Sequence, residues 1–302
     1  QDINVFILHP HNRVSEVQRR QMTTIQDSNI FNIAIKGTFD DCQKIVKELF
    51  IDEEIQQQTS LTAINSINWA RLMAQVVYYF WAYLQIEQEK INFIVPSGNF
   101  GNVFSAQVAK KMGLPIQQLH VTTNQNDILH SSINNGLMKK NDVTQTYSPS
   151  MDIQISSNFE RQLFESAGRN SNIINNMFNK FLKEGAYKFD KNILKDLQST
   201  YSSTAISDDS TLSTIKQVKN KFNYLADPHT STGLHVLLDK KNDQPWVSLA
   251  CAHPAKFGKA IKEATGEEPR LPKDLSKLFD NEEKMTILEN NKNKLKTLIL
   301  SH

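Results

Sequence analysis

The sequence predicts an α/β fold, with parallel sheets flanked by helices. Three observations carry this. Short apolar runs alternate with segments of helical spacing through the first third of the chain, which is the rhythm of βαβ units. A glycine-bearing turn, "IVPSGNFGN" (94–102), joins an apolar run directly to a helical pattern. The composition, 39% hydrophobic and 22% charged over 302 residues, is that of a folded chain with room for one large or two smaller domains.

The elements follow in order. "NVFIL" (Asn4 to Leu8) reads as a buried strand. Ser15 is well placed as the N-cap of "SEVQRRQMTTI", with Gln18 three residues on. "NIAIK" (Asn32 to Lys36) is a second strand, and "FDDCQKIVKELF" has helical apolar spacing with Asp40 or Asp41 near its start. A long helix spans about Ala70 to Gln88, and its stretch "LMAQVVYYFWAYLQI" reads as buried with an aromatic face. "INFIVP" is a strand, the glycine turn follows, and "NVFSAQVAKKMG" is a helix that Gly113 ends with Pro115 just beyond. "IQQLHVTT" is the next strand, so Ile91 to Thr123 forms a strand–helix–strand unit. From about 124 to 210, helical patterns such as "NFERQLFESAG" and "NNMFNKFLKEGAY" appear without strands between them and read as a helical insertion. Strand signal returns at "WVSLAC" (Trp246 to Cys251), and the Lys- and Asn-rich end, from "LPKDLSKLF" to "NNKNKLKTLIL", reads as helical.

Bulk properties narrow the partners. A net charge of +2 is too small to argue for nucleic acid or an anionic membrane, so any anion must be held by a local site. The most apolar helix is shorter than the ~20 residues that span a bilayer, and no signal peptide is visible. Cys42 and Cys251 lie far apart and read as two free thiols in a reducing, cytoplasmic setting. The chain starts at Gln1 without an initiator Met and enters a strand within a few residues. Such a start is more often met in a chain cut from a longer protein.

Three stretches bear chemistry, each with a plainer alternative. In "SGNFG", successive backbone N–H groups at a helix N-terminus would form a concave anion site, aided by the helix dipole. Glycine permits close approach and unusual dihedrals there. The same residues would serve a plain strand-to-helix turn. The loop lacks the third glycine of a dinucleotide fingerprint and the Lys-Ser or Lys-Thr of a P-loop. "NSINWAR" (Asn65 to Arg71) offers short donors, a helix start and a guanidinium for a second phosphate or a carboxylate; alternatively it is a capped helix with an exposed Arg. "CAHPAKF" (Cys251 to Phe257) follows a predicted parallel strand, where α/β sheets place ligands. His253 there reads as a base or as a turn residue before proline, and Cys251 as a nucleophile or a buried small thiol. "DPHTSTG" (Asp227 to Gly233) leads a loop into a helix, with Asp227 or Thr230 as its cap. No cluster has metal-ligand spacing.

Taken together, six segments resemble threonine synthase of the longer, bacterial and fungal type. They are "NRVSEVQRRQMTT" (Asn12 to Thr24), "AINSINWARLMAQ" (Ala63 to Gln75), "VPSGNFGN" (Val95 to Asn102), "SPSMDIQISSNFER" (Ser148 to Arg161), "DPHTSTG" and "AHPAKF", in this order and at about these intervals. The resemblance runs nearly end to end. It implies a pyridoxal 5'-phosphate (PLP) enzyme of the tryptophan-synthase-β-like fold, fold type II. The expected reaction turns O-phospho-L-homoserine and water into L-threonine and phosphate. Residues 1–75 would be the remainder of a smaller α/β domain, and 76–302 a larger PLP-phosphate-binding domain carrying the insertion.

Carried over position by position, the resemblance assigns the cofactor phosphate to Ser97, Gly98, Asn99, Phe100, Gly101 and Asn102. It assigns the substrate phosphate to Asn65, Ser66 and Arg71. A hydroxyl residue just before "AHPAKF" usually faces the pyridine nitrogen; here that position is Cys251, a weaker hydrogen-bond partner. The family's Schiff-base lysine and its substrate-carboxylate loop correspond to a segment upstream of Gln1. Lys273 in "LPKDL" lies in the wrong context and Lys256 has no matching role. No catalytic lysine is therefore assigned, and the chain alone is expected to be inactive. A monomer or a homodimer is expected, with no nucleic acid or membrane partner. Two other readings stand beside this one: another fold-type-II enzyme such as a threonine dehydratase, whose substrate has no phosphate for "NSINWAR" to hold, and a non-catalytic phosphate-binding protein.

Overall fold

A computed structural model describes residues 3–65, 68–240 and 244–302. Nine strands occur among the described residues: β1 (Val5–Pro10), β2 (Ile30–Lys36), β3 (Ile91–Pro96), β4 (Ile116–Thr123), β5 (Leu137–Lys139), β6 (Ala186–Lys188), β7 (Tyr201–Ala205), β8 (Trp246–Ser248) and β9 (Thr286–Glu289). They form a parallel three-stranded sheet, β1-β2-β9, a parallel four-stranded sheet, β7-β4-β3-β8, and an antiparallel pair, β5-β6.

The chain divides into two compact units. The first holds residues 1–63, 255–257 and 268–302, and the second holds 64–254 and 258–267. Residues 268–302 thus join the N-terminal unit, whereas sequence order assigned everything after residue 75 to one domain. The physical reason is β9. Its backbone pairs with β2, Ile33 opposite Thr286 through Lys36 opposite Glu289, and a partnership across about 250 residues leaves no local trace.

In the first unit, Ile33 and Ile35 of β2 pack with Cys42, Ile45 and Leu49 of helix Phe39–Phe50 and with Leu295 and Ile299 of helix Lys292–Leu300. Helix Phe39–Phe50 starts with a full capping box between Thr38 and Asp41, which satisfies two orphan donors at once. In the second unit, the buried strand β3 lies between β4 and β8. Phe93, Val95, Leu119 and Val121 belong to the unit's main core.

Four expectations change. Helix Trp69–Leu84 is shorter than expected and is not buried. It inserts Leu72, Val76 and Tyr79 into the core, while Val77, Tyr78 and Trp81 are exposed. Apolarity all round suggested burial, but only one face meets the core. The span 124–210 is not purely helical, since it contributes β5, β6 and the edge strand β7. At the C-terminal end, "LPKDLSKLF" yields only a single 3-10 turn, Lys273–Leu275, and "TILE" is β9 rather than helix. "WVSLAC" is strand only through Ser248. Gly113 does end helix Gly101–Lys111, with φ of +104°. Among the described residues, no helix is long and apolar enough to cross a membrane.

Candidate functional site

The site is built at the C-terminal ends of β3 and β8. β3 leaves the sheet at Pro96, and the Ser97 N–H still donates to Thr122 O of β4 at 2.9 Å. The turn closes on Ser97 Oγ, which accepts the Phe100 N–H at 3.0 Å. Neither Gly98 nor Gly101 takes positive φ; the left-handed residue is Phe100, with φ of 61° and ψ of 8°. This corrects the expectation that glycine supplies the unusual dihedrals. The ring makes the strained conformation tolerable, because it is fully buried edge-on to Phe159 and Tyr201, at centroid distances of 5.0 and 5.5 Å.

Gly98 serves close approach instead. A Cβ built there would lie 2.9 Å from Ser150 O and 3.0 Å from Met151 Cα, both backbone atoms. The segment 148–152 is therefore the wall of the turn. A buried polar network holds it: Asp152 Oδ1 accepts from Asn124 Nδ2 at 2.7 Å, Asn126 Nδ2 at 3.0 Å and Thr146 Oγ1 at 2.6 Å. Burial pushes the Asp152 carboxyl above the usual range against the pull of these bonds.

Helix Gly101–Lys111 begins at this turn with no side-chain cap. By helix geometry the first-turn N–H groups of Gly101, Asn102 and Val103 have no intrahelical partner. They carry the positive end of the helix dipole, an arrangement that suits an anion. The Tyr79 hydroxyl braces this start by donating to Asn102 O at 2.7 Å. On the other flank, Asn158 N–H donates to Asn99 O at 3.1 Å and Ser157 Oγ to Asn99 Oδ1 at 3.4 Å. Ser156 Oγ and Asn158 Nδ2 are buried without a hydrogen-bond partner among the described residues. An uncapped helix start and a turn with no room for a Cβ together form a cradle fit for a phosphate.

β8 ends beside this cradle, since Leu249 N–H donates to Ile94 O of β3 at 3.0 Å. Two residues on, Cys251 is exposed, yet dense protein surrounds its thiol. Burial first, and then the Asp227 carboxylate, push that thiol up to about 12, so it stays neutral. Cys251 N–H donates to Thr230 Oγ1 at 2.8 Å, and Cys251 Sγ reaches Leu249 O at 3.9 Å.

A family model described as "Threonine synthase, C-terminal" matches residues 230–299. A threonine synthase from Pseudomonas aeruginosa is 44% identical over 306 residues, covering 100% of this chain and 65% of the relative. The crystal structure of PLP-bound threonine synthase from Brucella melitensis aligns with a TM-score of 0.90 at 44% identity, over 100% of this chain and 66% of that one. Threonine synthase from yeast aligns at 0.86 and 39% identity. Over its whole length the chain is similar to threonine synthases. It has the fold of the solved threonine synthases, and it spans 65% of the length of the Pseudomonas aeruginosa relative.

Within the threonine synthase fold, Ser97 to Asn102 and Cys251 lie at neighbouring strand ends of one sheet. Asn65 and Arg71 lie at the start of helix Trp69–Leu84, where Asn68 is the N-cap and bonds Ala70 N–H at 2.9 Å. Arg71 is exposed and its Nη1 donates to Ile64 O at 2.6 Å. Ser66 lies outside the described residues. It is Tyr79, in the middle of that helix, that reaches the cradle. Sequence reasoning gave no role to Tyr79, Ser150 or Asp152, and read Asp227 or Thr230 as a helix cap. Asp227 was legible only as a cap, which it is: its carboxylate accepts from His229 N–H at 2.9 Å. A run of hydroxyls inside a helix, "HTST", was the available signal, because buried hydroxyls need partners.

Proposed function

We propose that this chain carries the cofactor-phosphate and substrate-phosphate sites of a threonine synthase, an enzyme that converts O-phospho-L-homoserine and water into L-threonine and phosphate. The observation that carries the reading is the uncapped start of helix Gly101–Lys111 beside Gly98, a position with no space for a Cβ. Ser97 to Asn102 would hold the phosphate of PLP there. When bound, PLP supplies an electron sink for the carbanion chemistry at the substrate.

The chain's own residues then do three things. The backbone N–H groups at the cradle fix the cofactor by its phosphate, with Tyr79 locking the carbonyl of Asn102. The Cys251 thiol, neutral up to about 12, puts no negative charge opposite the pyridine nitrogen and offers only a weak hydrogen bond. Asn65, Ser66 and Arg71 bind the substrate phosphate, Arg71 by a charge-assisted contact. This reading assigns no lysine of the chain to the Schiff base and expects no turnover from the 302 residues alone. A cytoplasmic location goes with it.

The test uses the full-length protein. PLP is added to the apoprotein and followed by visible absorbance, and phosphate release from O-phospho-L-homoserine is then assayed. Arg71→Ala should raise KM for phosphohomoserine by roughly ten- to a hundredfold, the scale of one hydrogen bond to a charged group. An unchanged KM would reduce "NSINWAR" to a helix cap. Cofactor binding without phosphate release, with activity on unphosphorylated threonine instead, would favour the dehydratase reading.

A further inference from the structure

One buried carboxylate ties together the segments flanking the candidate site. Asp227 is 0% exposed and uses both oxygens. Oδ1 accepts His229 N–H at 2.9 Å and lies 2.9 Å from His229 Nδ1. Oδ2 accepts the Thr230 hydroxyl and, at 3.2 Å, the Ala252 N–H. Thr230 Oγ1 accepts the Cys251 N–H in turn. Burial alone would raise the Asp227 carboxyl, but the bonds from His229 and Thr230 outweigh it and hold the group below the usual range.

The imidazole extends the network to the cradle. His229 Nε2 lies 3.1 Å from Ser150 N. A backbone N–H only donates, so Nε2 carries the lone pair and the ring proton sits on Nδ1, facing Asp227. Ser150 is the residue whose carbonyl stands 2.9 Å from a Cβ at position 98. The line of contact runs Asp227, His229, Ser150, Gly98. A second line runs Asp227, Thr230, Cys251.

We propose that Asp227 and His229 are positioning residues for the cofactor site, an inference that rests on the PLP reading above. Asp227 fixes the tautomer of His229, and His229 holds the 148–152 wall against Gly98 so that the cradle keeps its shape. Through Thr230 and Ala252 the same carboxylate sets the backbone that carries Cys251. A mere helix cap would use one oxygen on first-turn N–H groups. Here the second oxygen goes to Thr230 and Ala252.

The test is cofactor binding by the full-length apoprotein, with pyridoxal phosphate and its unphosphorylated analogue pyridoxal titrated side by side. His229→Asn keeps an amide near Asp227 but loses the reach to Ser150. It should weaken pyridoxal phosphate binding at least roughly tenfold, about 1.4 kcal/mol, and leave pyridoxal binding nearly unchanged. His229→Gln, whose amide oxygen can accept the Ser150 N–H, should restore most of the loss. Asp227→Asn sets an NH2 group against N–H or O–H donors whichever way it turns. It should weaken both ligands and shift the absorbance maximum of the bound cofactor. Equal losses for both ligands in His229→Asn, or wild-type affinities alongside a lowered Tm, would overturn the proposal. If Asp227→Asn does not fold, the two His229 variants decide. A wild-type protein that binds neither ligand would instead overturn the PLP reading itself.

Discussion

At position 98 a single methyl group has nowhere to go. Its two nearest neighbours, Ser150 O and Met151 Cα, are backbone atoms that cannot swing aside, so either the cradle opens or the 148–152 wall retreats. Gly98→Ala is expected to cost roughly 1–3 kcal/mol of stability and to weaken PLP binding at least roughly tenfold, measured by urea unfolding and cofactor titration. Gly113→Ala is the matched control. Gly113 sits at φ of +104° with open space around it, so alanine there brings backbone strain without a clash and should leave PLP affinity unchanged. Equal loss of affinity in both variants would remove close approach as the reason for Gly98. The sequence marked Gly98 correctly as a special position but for a partly wrong reason. Glycine spacing reports that a side chain is excluded, not whether dihedral or space excludes it. Phe100, the residue that does take the left-handed turn, carries no such mark, because only its burial between Phe159 and Tyr201 sustains it.

Strand β7 shows what an element owes to its neighbours. "YSSTA" has one large apolar residue and four small or polar ones, so no period-2 pattern announces it. It is a strand because β4 offers an open edge, with Leu119 opposite Tyr201 through Thr123 opposite Ala205, and because a buried histidine pairs with its hydroxyls. His120 Nδ1 lies 2.7 Å from Ser202 Oγ, and Nε2 lies 3.0 Å from Thr204 Oγ1. Burial, followed by the nearby Lys240 and His130, pushes His120 down to about 4 from an ordinary value of 6.5. The unfolded chain therefore binds the extra proton between those two values while the folded chain does not. Stability is unaffected by this group above pH 6.5, falls as pH drops from about 6.5 to about 4, and loses on the order of 3 kcal/mol across the window. His120→Gln should flatten that part of the curve in denaturant unfolding at stepped pH. An unchanged slope would mean that other groups set the acid sensitivity. By contrast, β3 and the helix after it were legible from sequence, because six consecutive buried residues and a glycine turn are local signals.

For the whole molecule, the decisive fact is that the last 35 residues return to the first unit. Three contacts draw them back. Arg19 grips Glu283 with two bonds of 2.7 and 2.8 Å, Lys36 meets Glu289 at 2.7 Å, and β9 extends the sheet beside β2. The exposed Lys36–Glu289 pair stabilises little by itself. The packing of helix Lys292–Leu300 carries more, through Leu295, which is 0% exposed against Ile33, Ile35, Ile45 and Leu49. Leu295→Ala is expected to destabilise the first unit by about 2–5 kcal/mol. Because the second unit has its own core around Phe93, Val95 and Leu119, the loss should be local. Hydrogen exchange on the intact protein reads this directly: amides of β1, β2 and helix Phe39–Phe50 should lose protection, while those of β3 and β4 keep theirs. A uniform loss across both sheets would show that the units unfold as one cooperative body, and the C-terminal helix would then support the cofactor cradle as well as its own unit.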